Sequence, residues 1–296
     1  PLINVRPGGR YAGHRLKMLT GALQTKLDSG MPEEEFKDLR EIKPTDGCDS
    51  GKNQANTDKN RYRNVLPYEA TRVRLSGSSG EDYINANHIR VLVDDDTYHY
   101  IATQGPLPNT TKDFWQMIWE QGVEVVAMVT LDKEGGKVKC HRYWPDNTNQ
   151  PLKLGGRFEV SLLKQTNYDS FVQRDIAVKH LQSGKSIEIA HLNFVKWPDH
   201  GVPRSPVEMV QFVAYMRSLA TSQAPVVVHC SAGIGRTGAL IAVDVALGLM
   251  ERDKPFDINQ TIRDLREQRQ GMIQTKDQYI FCYKACLEVL KSLAQR

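Results

Sequence analysis

The sequence predicts a single α/β domain in which a mixed β-sheet is flanked by helices, and three stretches carry that prediction. Val226, Val227 and Val228 form a β-branched run suited to a buried strand; a glycine-rich segment follows, and the apolar run over 239–250 is long enough for a helix. Residues 123–129 are almost wholly apolar, as a central strand covered on both faces must be. Residues 158–163, 171–178 and 186–194 alternate well enough to form three antiparallel strands.

Bulk properties narrow the class. A chain of 296 residues, 40% hydrophobic and 25% charged, suits one large domain, and neither an internal repeat nor a mid-chain linker rich in Pro, Gly and Ser divides it. The net charge of +4 is too mild to argue for nucleic acid but favours an anionic substrate. Five cysteines with neither framework spacing nor a Cys-x2-Cys pair exclude a disulfide scaffold or zinc site and point to a reducing compartment, here the cytoplasm. No apolar run is long enough to span a bilayer and no signal peptide is visible, so direct membrane insertion is not expected. The chain opens at Pro1 and reads as a part of something longer.

In order, residues 1–13 form an irregular lead-in with two prolines and three glycines. Leu16, Leu19 and Leu23 predict an amphipathic helix over 14–27, and Pro32 with Glu33, Glu34 and Glu35 predicts a second helix start, where the helix dipole favours acid. Residues 45–59 are polar without periodicity and are expected to be an exposed connector. Strands follow at 82–89 and 98–102, separated by the charged turn Asp94-Asp95-Asp96; then a helix at 110–121 turns Phe114, Trp115, Ile118 and Trp119 inward. The segment 139–145 is expected to be another strand. Helices are predicted at 206–219, 257–268 and 277–293.

The chemistry concentrates after Val228. A glycine-rich loop between strand and helix can turn successive N–H groups inward with the positive helix end behind them, an anion cradle, and Gly233, Gly235 and Gly238 allow close approach or positive φ. Cys230 stands inside that ring, where the same donors that hold a phosphate stabilise a thiolate nucleophile. Arg236 adds a planar fork able to bind two phosphoryl oxygens. Together they form a device for attack on phosphorus.

The string His229-Cys230-Ser231-Ala232-Gly233-Ile234-Gly235-Arg236-Thr237-Gly238 resembles the signature of the tyrosine-specific, cysteine-dependent protein phosphatases. The likeness runs from about Glu35 to the last helix, closest to non-receptor members carrying FERM and PDZ domains upstream. It implies the highly twisted mixed sheet of that fold, a catalytic domain over 35–296 preceded by a lead-in and helix over 1–34, and no metal or other cofactor.

The resemblance also implies roles. Cys230 would be the nucleophile, with Ser231, Ala232, Gly233, Ile234, Gly235 and Arg236 holding the phosphoryl group. Thr237 would ease thiolate departure, and His229 would tune it through hydrogen bonds. Trp197-Pro198-Asp199-His200-Gly201 resembles the mobile acid loop, with Asp199 as proton donor and Trp197 as a packed hinge; no role is assigned to His200. Tyr62 resembles the wall that stacks on the substrate ring. Asn64 departs from members with an aspartate there that hydrogen-bonds the substrate peptide's backbone; an amide can still accept and donate but adds no negative charge. Glu134, by itself a solvated turn residue, would pair with Arg236. Gln274 would aim the hydrolytic water with Gln278 as helper, and Gly271 would leave a neighbouring surface pocket open. The motifs over 82–87 and 100–106 would support core and loops.

The expected reaction is hydrolysis of phosphotyrosine in tyrosine-phosphorylated proteins. A phosphotyrosine-binding pseudophosphatase and a dual-specificity enzyme are the rival readings. The presence of Cys230, Asp199 and Gln274 argues against the first, and the deep cleft implied by Tyr62 against the second.

Overall fold

The structure, a computed structural model, describes residues 2–77, 81–198 and 200–295. Helices α1 (Gly13–Asp28) and α2 (Met31–Arg40) open the chain, followed by a short α3 (Asp49–Lys52) and a 3-10 turn over Gln54–Lys59. Strands β1 (Arg72–Arg74), β2 (Tyr83–Val93) and β3 (Asp96–Thr103) lead to α4 (Thr111–Glu120) and β4 (Val125–Met128). A small hairpin of β5 (Lys133–Glu134) and β6 (Lys137–Val138) precedes β7 (Leu152–Leu154), β8 (Phe158–Asn167), β9 (Phe171–His180) and β10 (Ser186–Phe194). The chain closes with α5 (Val207–Leu219), β11 (Val226–His229), α6 (Gly235–Glu251), α7 (Ile258–Gln268) and α8 (Lys276–Ala294).

Nine strands form one mixed sheet in the order β1-β2-β3-β11-β4-β10-β9-β8-β7. The four inner strands β3, β11, β4 and β10 are parallel, and antiparallel pairs extend the sheet on both sides. A parallel strand needs cover on both faces, and β11 alternates accordingly: Val226 and Val228 enter the larger core under α5, α6 and α8, while Val227 enters the opposite core with Phe114, Trp115 and Tyr143. The four parallel strands all end on one edge, so the segments after Thr103, Met128, Phe194 and His229 meet there. Ligands bind at such carboxyl ends in open α/β sheets.

Two expectations are corrected. Residues 45–59 are not a bare exposed connector: Cys48, Gly51 and Asn56 are buried. The segment is held by single polar bonds, such as Asn56 Nδ2 to the Ser50 carbonyl and the Ser50 hydroxyl to Glu69, which leave no apolar period to read. Although Cys140, Tyr143, Trp144 and Pro145 are buried, residues 139–145 form no strand. Their backbone groups take one-off partners: the Lys139 and Cys140 amides donate to the Asp132 carbonyl, the His141 amide to Pro106, and the Trp115 indole donates to the Tyr143 carbonyl. The two short strands β1 and β7 and the β5–β6 hairpin were not anticipated. The helices begin and end within about two residues of expectation; α6 starts earlier, at Gly235.

Candidate active site

Five consecutive carbonyls of the loop after β11 face outward because each accepts a bond from outside it. The Cys230 carbonyl lies 3.1 Å from His229 Nδ1, and the Ser231 carbonyl accepts the Gly105 amide at 2.9 Å. Arg269 donates to Ala232 from Nη2 at 3.0 Å and to Gly233 from Nε at 2.9 Å, and the Ile273 amide donates to Ile234 at 2.9 Å. Across a planar trans peptide the next N–H points the opposite way, so the amides of Ser231, Ala232, Gly233, Ile234 and Gly235 turn toward the cleft. The N-terminus of α6 stands behind them and adds its positive end.

Two of the glycines serve different needs. Gly233 has φ +77°, and a Cβ there would lie 2.2 Å from the Thr103 carbonyl oxygen. Gly235 has no such φ; a Cβ would fall 2.5 Å from Gln274 Oε1, so the gap admits a side chain of the chain itself.

Cys230 is 4% exposed at the floor of a cleft of about 550 Å³, with Tyr62, Asn64, Arg236, Gln274 and Gln278 on its walls. Thr237 Oγ1 donates to Cys230 Sγ at 3.2 Å. The Arg236 fork meets Glu134 in a bidentate pair, both bonds 2.8 Å, and also reaches the carbonyls of Val129 and Pro198 at 3.2 Å. Glu134 closes β5 just before the Gly135-Gly136 turn and is buried, not solvated. Burial opposes its ionisation, but the two Arg236 bonds and the Leu131 amide outweigh that and hold its carboxyl below the ordinary glutamate range.

Tyr62 is tied to the loop. Ser231 Oγ has one proton, which goes to the Lys139 carbonyl at 2.7 Å, so the Tyr62 hydroxyl is the donor in its 2.7 Å bond to Ser231 Oγ. The ring is thereby fixed at the height of the cradle.

Of the acid loop, Asp199 lies outside the described residues. Trp197 is buried, its indole donates to the Gly201 carbonyl at 3.1 Å, and its ring lies 5.2 Å from Phe281 and beneath Arg236. His200 and Gly201 line the cleft.

On the other wall Ile273 has φ +69°, an outlier for a β-branched residue. Its amide is held by Ile234 and its carbonyl by Arg266 Nη2 at 2.6 Å, and the turn sends Gln274 to the face of Gly235. Gln278 lines the cleft too, but its Oε1 accepts the amides of Gln274 and Thr275 as half of a capping box opening α8. Gly271, at φ +75°, has only Ile234 near its absent Cβ.

Sequence reasoning assigned no role to Arg269 or Tyr143. Arg269 is fully buried, appears in none of the ion pairs among the described residues, and also donates to Asn87 Oδ1 at 2.8 Å and Asn85 Oδ1 at 3.0 Å. Burial pulls it down to about 10, still charged at neutrality. The signal was Asn85 and Asn87 at alternate positions of a strand, two amide oxygens on one face. Tyr143 joins His229 to His191 through its hydroxyl, 2.7 Å from each ring.

The protein-tyrosine phosphatase family profile matches residues 56–288. Tyrosine-protein phosphatase non-receptor type 13 of Homo sapiens is 46% identical over 293 residues, 99% of this chain and 12% of that protein. Non-receptor type 20 of Rattus norvegicus is 46% identical over 272 residues, 92% of this chain and 63% of the relative. Non-receptor type 14 of Mus musculus is 38% identical over 307 residues, 97% and 26%. The chain thus spans less than two thirds of each of these relatives. An amide-lined cysteine loop at the carboxyl edge of a mixed sheet, inside a match over most of the sequence, places the conclusion beyond the loop motif alone: the chain belongs to the protein-tyrosine phosphatase family.

Proposed function

We propose that this chain hydrolyses phosphotyrosine in proteins through a cysteinyl-phosphate intermediate. The observation that carries the reading is the outward fixing of five successive carbonyls around Cys230, which leaves five amides and the Arg236 fork to hold three phosphoryl oxygens. The Cys230 thiolate attacks phosphorus, the P–O bond to the phenol breaks, and the Asp199 carboxyl gives its proton to the leaving oxygen. Water aimed by Gln274 then attacks phosphorus and passes a proton to Asp199. The S–P bond breaks and the departing thiolate receives the Thr237 hydroxyl bond. Glu134 orients Arg236, Tyr62 sets the depth, and Trp197 anchors the acid loop.

The substrates are tyrosine-phosphorylated proteins, met in the cytoplasm, with interaction domains upstream in the parent chain. Asn64 replaces a charged contact to the peptide backbone by a neutral one, so selectivity for flanking residues is weaker than an acid there would give. The test is a paired assay on phosphotyrosine and phosphoserine peptides. Hydrolysis of the first alone is expected; equal rates would remove the tyrosine-specific reading, and tight binding without turnover would favour a capture module. Asp199→Ala should lose most turnover, on the order of 10²-fold or more, yet keep phosphopeptide binding.

A further inference from the structure

A chain of hydrogen bonds reaches the nucleophile from behind the sheet. Arg174 on β9 and His191 on β10 are direct cross-strand neighbours. Arg174 Nη1 lies 3.3 Å from His191 Nδ1, His191 Nε2 lies 2.7 Å from the Tyr143 hydroxyl, that hydroxyl lies 2.7 Å from His229 Nε2, and His229 Nδ1 lies 3.1 Å from the Cys230 carbonyl.

The proton positions follow from the two ends. The Cys230 carbonyl only accepts, so His229 carries its proton on Nδ1 and its Nε2 accepts from Tyr143. Tyr143 has one proton, now assigned, so His191 must donate to it from Nε2. That leaves His191 Nδ1 to accept from Arg174, which only donates. The assignment is unique while both rings are neutral. Burial keeps them so: His229 falls to about 4 and His191 well below the ordinary histidine value. Burial pulls Arg174 to about 10, which leaves it cationic at neutrality.

We propose that Arg174 and His191 are positioning residues for the nucleophile loop. Their one-directional chain holds the Cys230 carbonyl away from the cleft and so turns the Ser231 amide toward the sulfur. The inference rests on Cys230 being the nucleophile. Arg174 is 7% exposed and makes none of the ion pairs among the described residues; its partners are the neutral side chains of His191, Asn193 and Gln165 and the Trp144 face at 4.4 Å. A buried cation without a carboxylate is costly, and an apolar side chain would fill the space more cheaply. What the charge adds is polarity: every donor in the line points the same way, and bonds in such a line strengthen one another.

The test begins with the unmodified protein. Long-range proton–nitrogen NMR of the histidine rings should find His229 protonated on Nδ1 and His191 on Nε2, neither titrating between about pH 5 and 8; the same tautomer in both would overturn the chain. The rate of iodoacetate alkylation of Cys230 is then followed against pH. Arg174→Met should move the rising limb to higher pH and lower kcat roughly three- to tenfold with KM for a phosphotyrosine peptide unchanged, and Arg174→Lys should restore part of it. Tyr143→Phe cuts the line in the middle, so adding Arg174→Met to it should change nothing further. An unmoved limb in Arg174→Met, or the same additional loss in both backgrounds, would overturn the proposal. Absence of hydrolysis by the unmodified protein would instead refute the reading of Cys230, while the tautomers are decided independently.

Discussion

Arg269 shows how much one side chain can fix. Its fork closes on two loop carbonyls and two asparagine oxygens at once, a pattern an ammonium cannot reproduce. Arg269→Met should therefore lower kcat/KM by about 10²-fold, as loss of oriented amides does, and destabilise the fold by about 3 kcal/mol. Arg269→Lys should recover little of either; steady-state kinetics and urea unfolding measure both. Glu134 is the counterpart on the cleft side. Because its folded pKa is depressed, its contribution to stability is complete above the ordinary glutamate value and is lost as pH falls through the folded one. Glu134→Gln should flatten that acid limb and lower kcat/KM about tenfold by loosening Arg236. Cys230, Arg236 and Glu134 were legible in the sequence, the first two from residue type and spacing and the last only through the family resemblance. Arg269 was not, because its side-chain partners are the neutral amides Asn85 and Asn87, a faint signal remote in sequence, and no acid marks the site.

At the scale of elements, the turn before α8 places Gln274, the residue proposed to aim the hydrolytic water, against Gly235. Gly235 leaves the space that Gln274 fills, so Gly235→Ala should slow release of the phosphorylated cysteine more than its formation. Rapid-mixing kinetics should show a burst of phenol followed by a slow phase; uniform slowing of both would contradict this. Thr275→Ala removes the cap and should cost about 1 kcal/mol by thermal or urea unfolding. Helices and long strands were readable because an amphipathic face repeats a period. The segments at 45–59 and 139–145 were not, because polar bonds to distant, unrepeated partners hold them and leave no period behind.

For the whole molecule, four parallel strands ending on one edge bring together loops that are remote in sequence. The mixed sheet was foreseeable from the apolar run at β4 and the alternation in β8 to β10; the strand order was not, since pairing depends on faces rather than on local pattern. The buried neutral histidines also give the domain a pH response. An unfolded histidine takes up a proton near pH 6.5, whereas His229 resists until about 4, so stability is full above the first value and declines as pH falls toward the second. From pH 7 to 5, His229 alone should remove about 2 kcal/mol, measurable as a lower urea midpoint at unchanged slope.

The loop carbonyls answer to Gly105, Arg269 and Ile273, which the ribosome delivers far apart in time. A partly opened chain holds the cysteine but not the ring of inward amides around it. The ring of donors thus forms only when the segments carrying Arg269 and Ile273 dock against the loop, so the cradle is a product of the tertiary fold and not of the local sequence.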